Sequence, residues 1–218
     1  MPSITAVEIA HVSRLYGNFA ALRDISLSIP AGSSVVLLGE NGAGKSTLLK
    51  IIAGLTTPTY GSISVFGEKP LDVRHRLAYM SHATMLYDEL TALENLQYFA
   101  SLYASPTSPE QALRDVGLDP NLPRRIADYS QGMKQRASLA RVLLTNPGLL
   151  LLDEPFSNLD VASAAAMVAR LHAYLADPTH TLILTTHQAE LAKPLATLIL
   201  TLQFGRVVSS TVPPMRSN

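Results

Sequence analysis

The sequence predicts an α/β fold: a mainly parallel sheet flanked by helices, with a block of helices inserted into it. Three observations lead there. Short apolar segments alternate with amphipathic ones at both ends of the chain, the pattern of strands joined by helical crossovers. A glycine-rich loop, Gly39 to Gly44, joins an apolar strand to a helix. The stretch from about residue 83 to 145, by contrast, reads as helix after helix. At 218 residues, with no repeat or low-complexity linker, the chain is expected to form one domain over 1–218.

The elements follow in order. Thr5 to Val12, Leu22 to Ile29 and Ser34 to Leu38 read as short strands, with Pro30-Ala31-Gly32 turning between the last two. Lys45 to Ala53 reads as a helix that Gly54 stops at its C-terminal cap. Gly61 to Phe66 is another strand. Thr91-Ala-Leu-Glu94 is a capping box opening a helix through Tyr103. Ser108-Pro109 opens a second helix with Gly117 just past its end, and a third runs from about Gln131 to Leu144. Gly148 to Leu152 reads as a fully buried strand and Ala162 to Leu175 as an Ala-rich helix. Thr181 to Thr185 and Leu198 to Leu202 complete the strands.

Composition excludes several classes. Seventeen basic residues balance seventeen acidic ones, so no broad basic field exists to hold nucleic acid. Charged residues make up only 16%, and mean hydropathy is +0.19. Yet the longest clean aliphatic run, Leu149 to Leu152, is far short of the about 20 residues that span a bilayer. Cysteine is absent, which excludes disulfides and thiolate metal sites. The opening residues lack a basic segment followed by an apolar one, so no signal peptide is expected and the cytoplasm is the default compartment.

Gly39-Glu40-Asn41-Gly42-Ala43-Gly44-Lys45-Ser46 fits the phosphate-loop pattern G-x-x-x-x-G-K-[ST], in the required context between strand and helix. Glycines let successive N–H groups turn toward phosphates, and the helix N-terminus adds partial positive charge. Lys45 reaches the terminal phosphates, the Ser46 hydroxyl can ligate Mg²⁺, and Thr47 completes the cradle. The plainer reading is a glycine turn that merely caps a helix. With Lys-Ser in register, the fold class becomes that of a P-loop NTPase, leaving kinases, GTPases and ATPases open.

Leu149-Leu-Leu-Leu152-Asp153-Glu154 narrows the choice. Asp153, at the strand's carboxyl end, is placed to hold Mg²⁺ through its water shell. Glu154 is the candidate to orient and deprotonate the attacking water. Acidic turn residues after a strand are common; it is the pairing with the phosphate loop that favours catalysis. No Asn-Lys-x-Asp guanine-reading motif is present, which disfavours a GTPase.

Tyr129-Ser130-Gln131-Gly132-Met133-Lys134-Gln135-Arg136 resembles the signature loop of the ATP-binding-cassette (ABC) ATPases, as a variant of Leu-Ser-Gly-Gly-Gln. Ser130, Gln131 and Gly132 would present a hydroxyl, N–H groups and a positive helix end to an anion, although Ser130 also serves as a plain N-cap. The resemblance runs from about Ile4 to Val208. It implies an N-terminal antiparallel β subdomain, ATP and Mg²⁺ as ligands, and ATP sandwiched between two subunits, the signature loop of one meeting the γ-phosphate held by the other. Asp160, in Ser157-Asn158-Leu159-Asp160, looks like the D-loop aspartate at the dimer seam; it too makes sense as an N-cap. His187 matches the switch histidine. Tyr16 matches the aromatic that stacks on adenine, with a half-buried strand tyrosine as the rival reading.

Two departures stand out. Glu40 replaces the commoner proline, at a position whose side chain points away from phosphate. His82, in Tyr79-Met80-Ser81-His82, stands where the family usually has a glutamine that touches Mg²⁺ and the attacking water, which puts that role in question. The histidine, with Glu89 to Leu96 and the Ser-Gln-Gly-Met-Lys-Gln-Arg signature, looks like the ATPase subunit of the cytochrome c biogenesis haem exporter. Exporters of drugs or polysaccharides share much of that pattern.

Tyr79, Tyr87, Tyr98, Phe99 and Tyr103 concentrate aromatics before and in the helical block. Most are expected to form its small core, while a subset near Met85 to Leu90 is expected to stay exposed for a partner helix. The expected partners are a second ABC subunit and an integral membrane permease, with no nucleic acid, on the inner face of the membrane. The competing readings are a soluble ABC ATPase acting on DNA or ribosomes and a P-loop phosphotransferase.

Overall fold

A computed structural model describes residues 5–103 and 105–213. Ile4, at the start of the resemblance, and the rest of the opening tetrapeptide lie outside them. Two sheets meet. The smaller is antiparallel, in the order β2 (Phe19–Pro30), β1 (Thr5–Tyr16), β4 (Tyr60–Val65). The larger has the order β5 (Leu77–Met80), β6 (Leu149–Asp153), β7 (Thr181–Thr186), β3 (Ser34–Leu38), β8 (Leu198–Gln203), β9 (Arg206–Thr211). All its pairs are parallel except β8–β9.

Strands β6 and β7 are buried at every residue, as a sheet covered on both faces demands. Alternate residues feed two cores. Leu150, Leu152, Leu182 and Leu184 pack with the helices α2 (Ala92–Tyr103), α3 (Pro109–Asp115), α4 (Gln131–Leu143) and α5 (Val161–Tyr174). Leu149, Leu151, Ile183 and Leu37 face α1 (Lys45–Ile52) and the antiparallel sheet. Helices α2 to α4 lie between β5 and β6, so the helical insertion sits where the sequence puts it.

Helix ends follow their caps. Glu94 and Thr91 close the capping box reciprocally: the Thr91 N–H donates to Glu94 Oε2 (2.8 Å), and the Glu94 N–H to Thr91 Oγ1 (3.2 Å). Ser108, Ser130 and Asp160 each accept a bond from the residue three places on. The structure corrects the strands instead. β1 and β2 are twelve residues each, longer than predicted, because bulges carry the pairing through Ser13 and Arg14, where the alternation breaks. β5 and β9 are additional. β5 is apolar throughout but only four residues long, and β9 is an exposed edge strand with a polar second half, so neither presents the longer patterned run that marks a strand.

Candidate active site

The chemistry collects at one end of the parallel sheet. The phosphate loop leaves β3, Asp153 ends β6, His187 follows β7, and His82 lies just after β5. In open α/β sheets this carboxyl edge is where ligands bind. Gly39 and Gly44 are required there: both have positive φ, and a Cβ on Gly44 would lie 2.5 Å from the Ala21 carbonyl oxygen. Only then can the loop pass under the first hairpin and open into α1.

Lys45 is buried and spans the loop, donating to the carbonyl oxygens of Gly39 (2.7 Å) and Glu40 (3.1 Å), with Glu154 Oε1 3.6 Å away. The Glu40 side chain is exposed, in keeping with its expected orientation. Asn41, Gly42, Gly44, Ser46 and Thr47 line a cleft of about 250 Å³, walled at its outer end by Tyr16 and Phe19. These two residues are paired across the tip of the hairpin, 48% and 61% exposed, and the Arg14 guanidinium lies 4.7 Å from the Tyr16 ring centre. Phe19 was not among the residues predicted; its signal was its register opposite Tyr16.

Asp153 is buried and held on three sides. Ser46 Oγ (2.9 Å) and Thr185 Oγ1 (2.7 Å) donate to its Oδ1, and the Tyr79 hydroxyl donates to Oδ2 (3.2 Å). Burial, reinforced by this carboxylate, pushes the Tyr79 phenol well above its ordinary pKa, so it stays a donor. Neither Thr185 nor Tyr79 was legible as a site residue, because each acts through a pairing between distant strands. The Ser46 hydroxyl and Asp153 carboxylate are hard oxygen donors that fit Mg²⁺, an ion that takes few protein ligands and completes its shell with water and phosphate. Among the described residues no group of three or more His, Cys, Asp or Glu forms a metal cage.

Glu154 has φ 53°, a conformation that costs a non-glycine residue roughly 1–3 kcal/mol and persists only where its surroundings enforce it. Its N–H donates to the Thr185 carbonyl (3.1 Å) and Oγ1 (3.0 Å); its own carbonyl accepts from Ser157 N–H (3.2 Å) and Oγ (3.0 Å). The turn aims the carboxylate at the phosphate loop. One oxygen, Oε2, meets His187 Nδ1 at 3.0 Å, while the buried Oε1 accepts no hydrogen bond. A carboxylate fixed at one oxygen, with hydrogen-bonding capacity unused at the other beside the Lys45 ammonium, suits a base that takes a proton from water at the phosphate cleft.

His82 does not reach this carboxylate or Asp153 in the structure; its Nδ1 lies 3.3 Å from Ser157 Oγ. Ser130, Gln131 and Gly132 are also absent from the phosphate cleft. Ser130 and Gln131 are exposed at the start of α4, and the half-buried Gly132 packs against the start of α5: a Cβ on Gly132 would approach Ser163 Oγ to 2.9 Å, and Ser163 in turn donates to Asp160. The predicted residues therefore fall into two groups, one around the phosphate loop and one at the mouths of α4 and α5.

A second, larger groove of about 430 Å³ adjoins the site through Tyr79 and is lined by Leu55, Met85, Tyr103 and Arg141 among others. Met85 and Tyr87 are exposed, while Leu86, Leu90 and Phe99 are half-buried. The aromatics do not form the core expected of them: Tyr87, Tyr98 and Tyr103 are exposed and Tyr79 and Phe99 half-buried, because aliphatic side chains such as Leu96, Leu113 and Ile126 fill the insertion. Tyr87, Tyr98 and Phe99 pack on one another at its surface, and Met85 stays open as expected.

Residues 22–157 match the ABC transporter family. Among curated proteins the chain is similar to the Nod factor export ATP-binding protein I of Rhizobium meliloti, 37% identical over 98% of this chain and 66% of that one. It is also similar to the ABC transporter ATP-binding protein NatA of Bacillus subtilis, 35% identical over 86% of this chain and 80% of that one. The chain thus spans about two thirds of the Nod factor protein's length. Among solved structures it superposes on an ATP-binding subunit of an ABC transporter with TM-score 0.85 and 32% identity, covering 96% of this chain and 90% of that one. The cassette MJ0796, in a dimeric post-hydrolysis state bound to ADP and Pi, gives TM-score 0.87 and 25% identity over 96% of this chain and all of that one.

Proposed function

The chain belongs to the ABC transporter family, and from that premise we propose that it is the ATP-hydrolysing subunit of a membrane exporter. It works in pairs at the inner face of the membrane and drives a separate integral permease. The observation that carries this reading is the division of the site into two groups. Phosphate loop, Asp153, Glu154 and His187 share one cleft, whereas Ser130, Gln131 and Gly132 face outward elsewhere. A second copy turned to face the first brings each signature loop to the other's phosphate cleft, and the dimeric MJ0796 cassette is a precedent.

The residues divide the work. Tyr16 stacks on the base, the loop N–H groups and Lys45 hold the phosphates, and Ser46 with Asp153 would hold Mg²⁺. When bound, that ion neutralises phosphate charge. Glu154 Oε1 takes the proton of the attacking water while His187 holds Oε2 and so fixes the carboxylate's direction. Signature-loop N–H groups and the α4 N-terminus from the partner copy stabilise the γ-phosphate.

The open groove around Met85 is the surface for the permease. Met, Tyr and Arg beside one another suit the apolar centre of an interface better than a solvated face. Haem is the cargo class suggested by His82 and the signature sequence; the Nod factor relatives favour the alternative of another exported compound. The test is purification of the tagged full chain from detergent-solubilised membranes. A multi-span protein in fixed stoichiometry, lost on Met85→Glu and stimulating ATP turnover, is expected, and its bound cargo then decides between haem and other compounds. A chain that recovers with no membrane protein and whose turnover responds to nucleic acid overturns the reading.

A further inference from the structure

The family glutamine is replaced here by a histidine, and its bond in this structure is to Ser157. Ser157 Oγ donates to the Glu154 carbonyl (3.0 Å), and His82 Nδ1 lies 3.3 Å from Ser157 Oγ. A hydroxyl has one proton. With that proton spent on Glu154, Ser157 Oγ can only accept from His82, so Nδ1 must carry the ring proton. Glu154 needs this support because it sits at positive φ, and among the described residues its carbonyl is bonded by the Ser157 N–H and hydroxyl alone. Ring nitrogen, hydroxyl and carbonyl thus form a chain from the loop after β5 to the backbone of the general base.

We propose that His82 is a positioning residue that acts on Glu154 through Ser157, in its Nδ1–H tautomer, rather than a ligand of the metal. This rests on the assignment of Glu154 as the base. The groove residue Met85 lies three positions further along the same loop, so a partner that displaces the loop also loosens or tightens the hold on Glu154.

Two measurements on the full chain test it. Ring ¹⁵N NMR of the histidine-labelled protein should show His82 protonated at Nδ1, and Ser157→Ala should shift it to the Nε2–H form that is otherwise preferred. In ATP turnover, His82→Ala and Ser157→Ala should each lower kcat about tenfold, and the double variant should fall no further than either alone. The Mg²⁺ concentration for half-maximal rate should not move. His82→Asn, whose amide nitrogen occupies the Nδ1 position, should restore the rate better than His82→Gln. An Nε2–H ring in the parent protein, additive losses, a raised Mg²⁺ requirement or a better rescue by Gln would each overturn the proposal. The NMR arm reads the hydrogen bond whether or not Glu154 is the base, so failure of the two assignments can be told apart: if Glu154→Gln turns over normally while the ring is Nδ1–H, the base assignment is what falls.

Discussion

Lys45 shows how far one side chain can commit a site. It is buried with two backbone carbonyls and a carboxylate around its ammonium group, so its charge is directed into the loop rather than toward solvent. Lys45→Ala should abolish tight ATP binding, read by fluorescence titration; unchanged affinity would refute the phosphate-loop assignment. Asn95 is a comparable residue outside the chemistry. It is fully buried, accepts from the Tyr87 N–H and donates to the Tyr87 and Thr91 carbonyls, tying the loop before α2 to the helix. Removing it leaves buried backbone groups unpaired, so Asn95→Ala should cost about 2–3 kcal/mol in urea unfolding. At this scale the sequence was legible wherever a motif spans a few neighbouring residues, as from Gly39 to Thr47. It was silent on Thr185, Tyr79 and Asn95, whose partners are distant in the chain or are backbone atoms.

Among the elements, helices α1 to α5 were read to within a residue or two because their ends are local chemistry, whereas the four-residue helix Ala189–Ala192, which has no side-chain cap, was not anticipated. The capping box at α2 also titrates. The Thr91 N–H, then its hydroxyl, hold the Glu94 carboxyl below its ordinary value of 4.5. A lowered folded-state pKa means this support is complete above the ordinary value and disappears as pH falls through the lowered one. Glu94→Gln should therefore lower the neutral plateau of a stability–pH curve slightly while leaving its acid end nearly unchanged, so that the acid limb is flatter; an unaltered plateau and limb would show that the carboxylate's charge contributes nothing. Ser108→Ala, at the start of α3, should cost about 1 kcal/mol. Strand limits were less legible, because bulges in β1 and the exposure of β9 depend on what each strand pairs with, and pairing is not a local property.

For the molecule as a whole, the apolar excess resolves into two cores on opposite faces of the central sheet and a groove left open beside the catalytic edge. No described helix is long and apolar enough to cross a membrane, so the apolar character is used for packing and contact. The two-part division of the site was legible only through resemblance, since nothing in one sequence says that residues 130–132 serve another copy. That division and the role proposed for Glu154 as the base meet in one variant. Glu154→Gln mixed with Mg²⁺ and ATP should sediment as a dimer holding two ATP per pair and return to monomer when ATP is removed. A variant that saturates with ATP yet stays monomeric, or that turns over at the parent rate, would contradict the account.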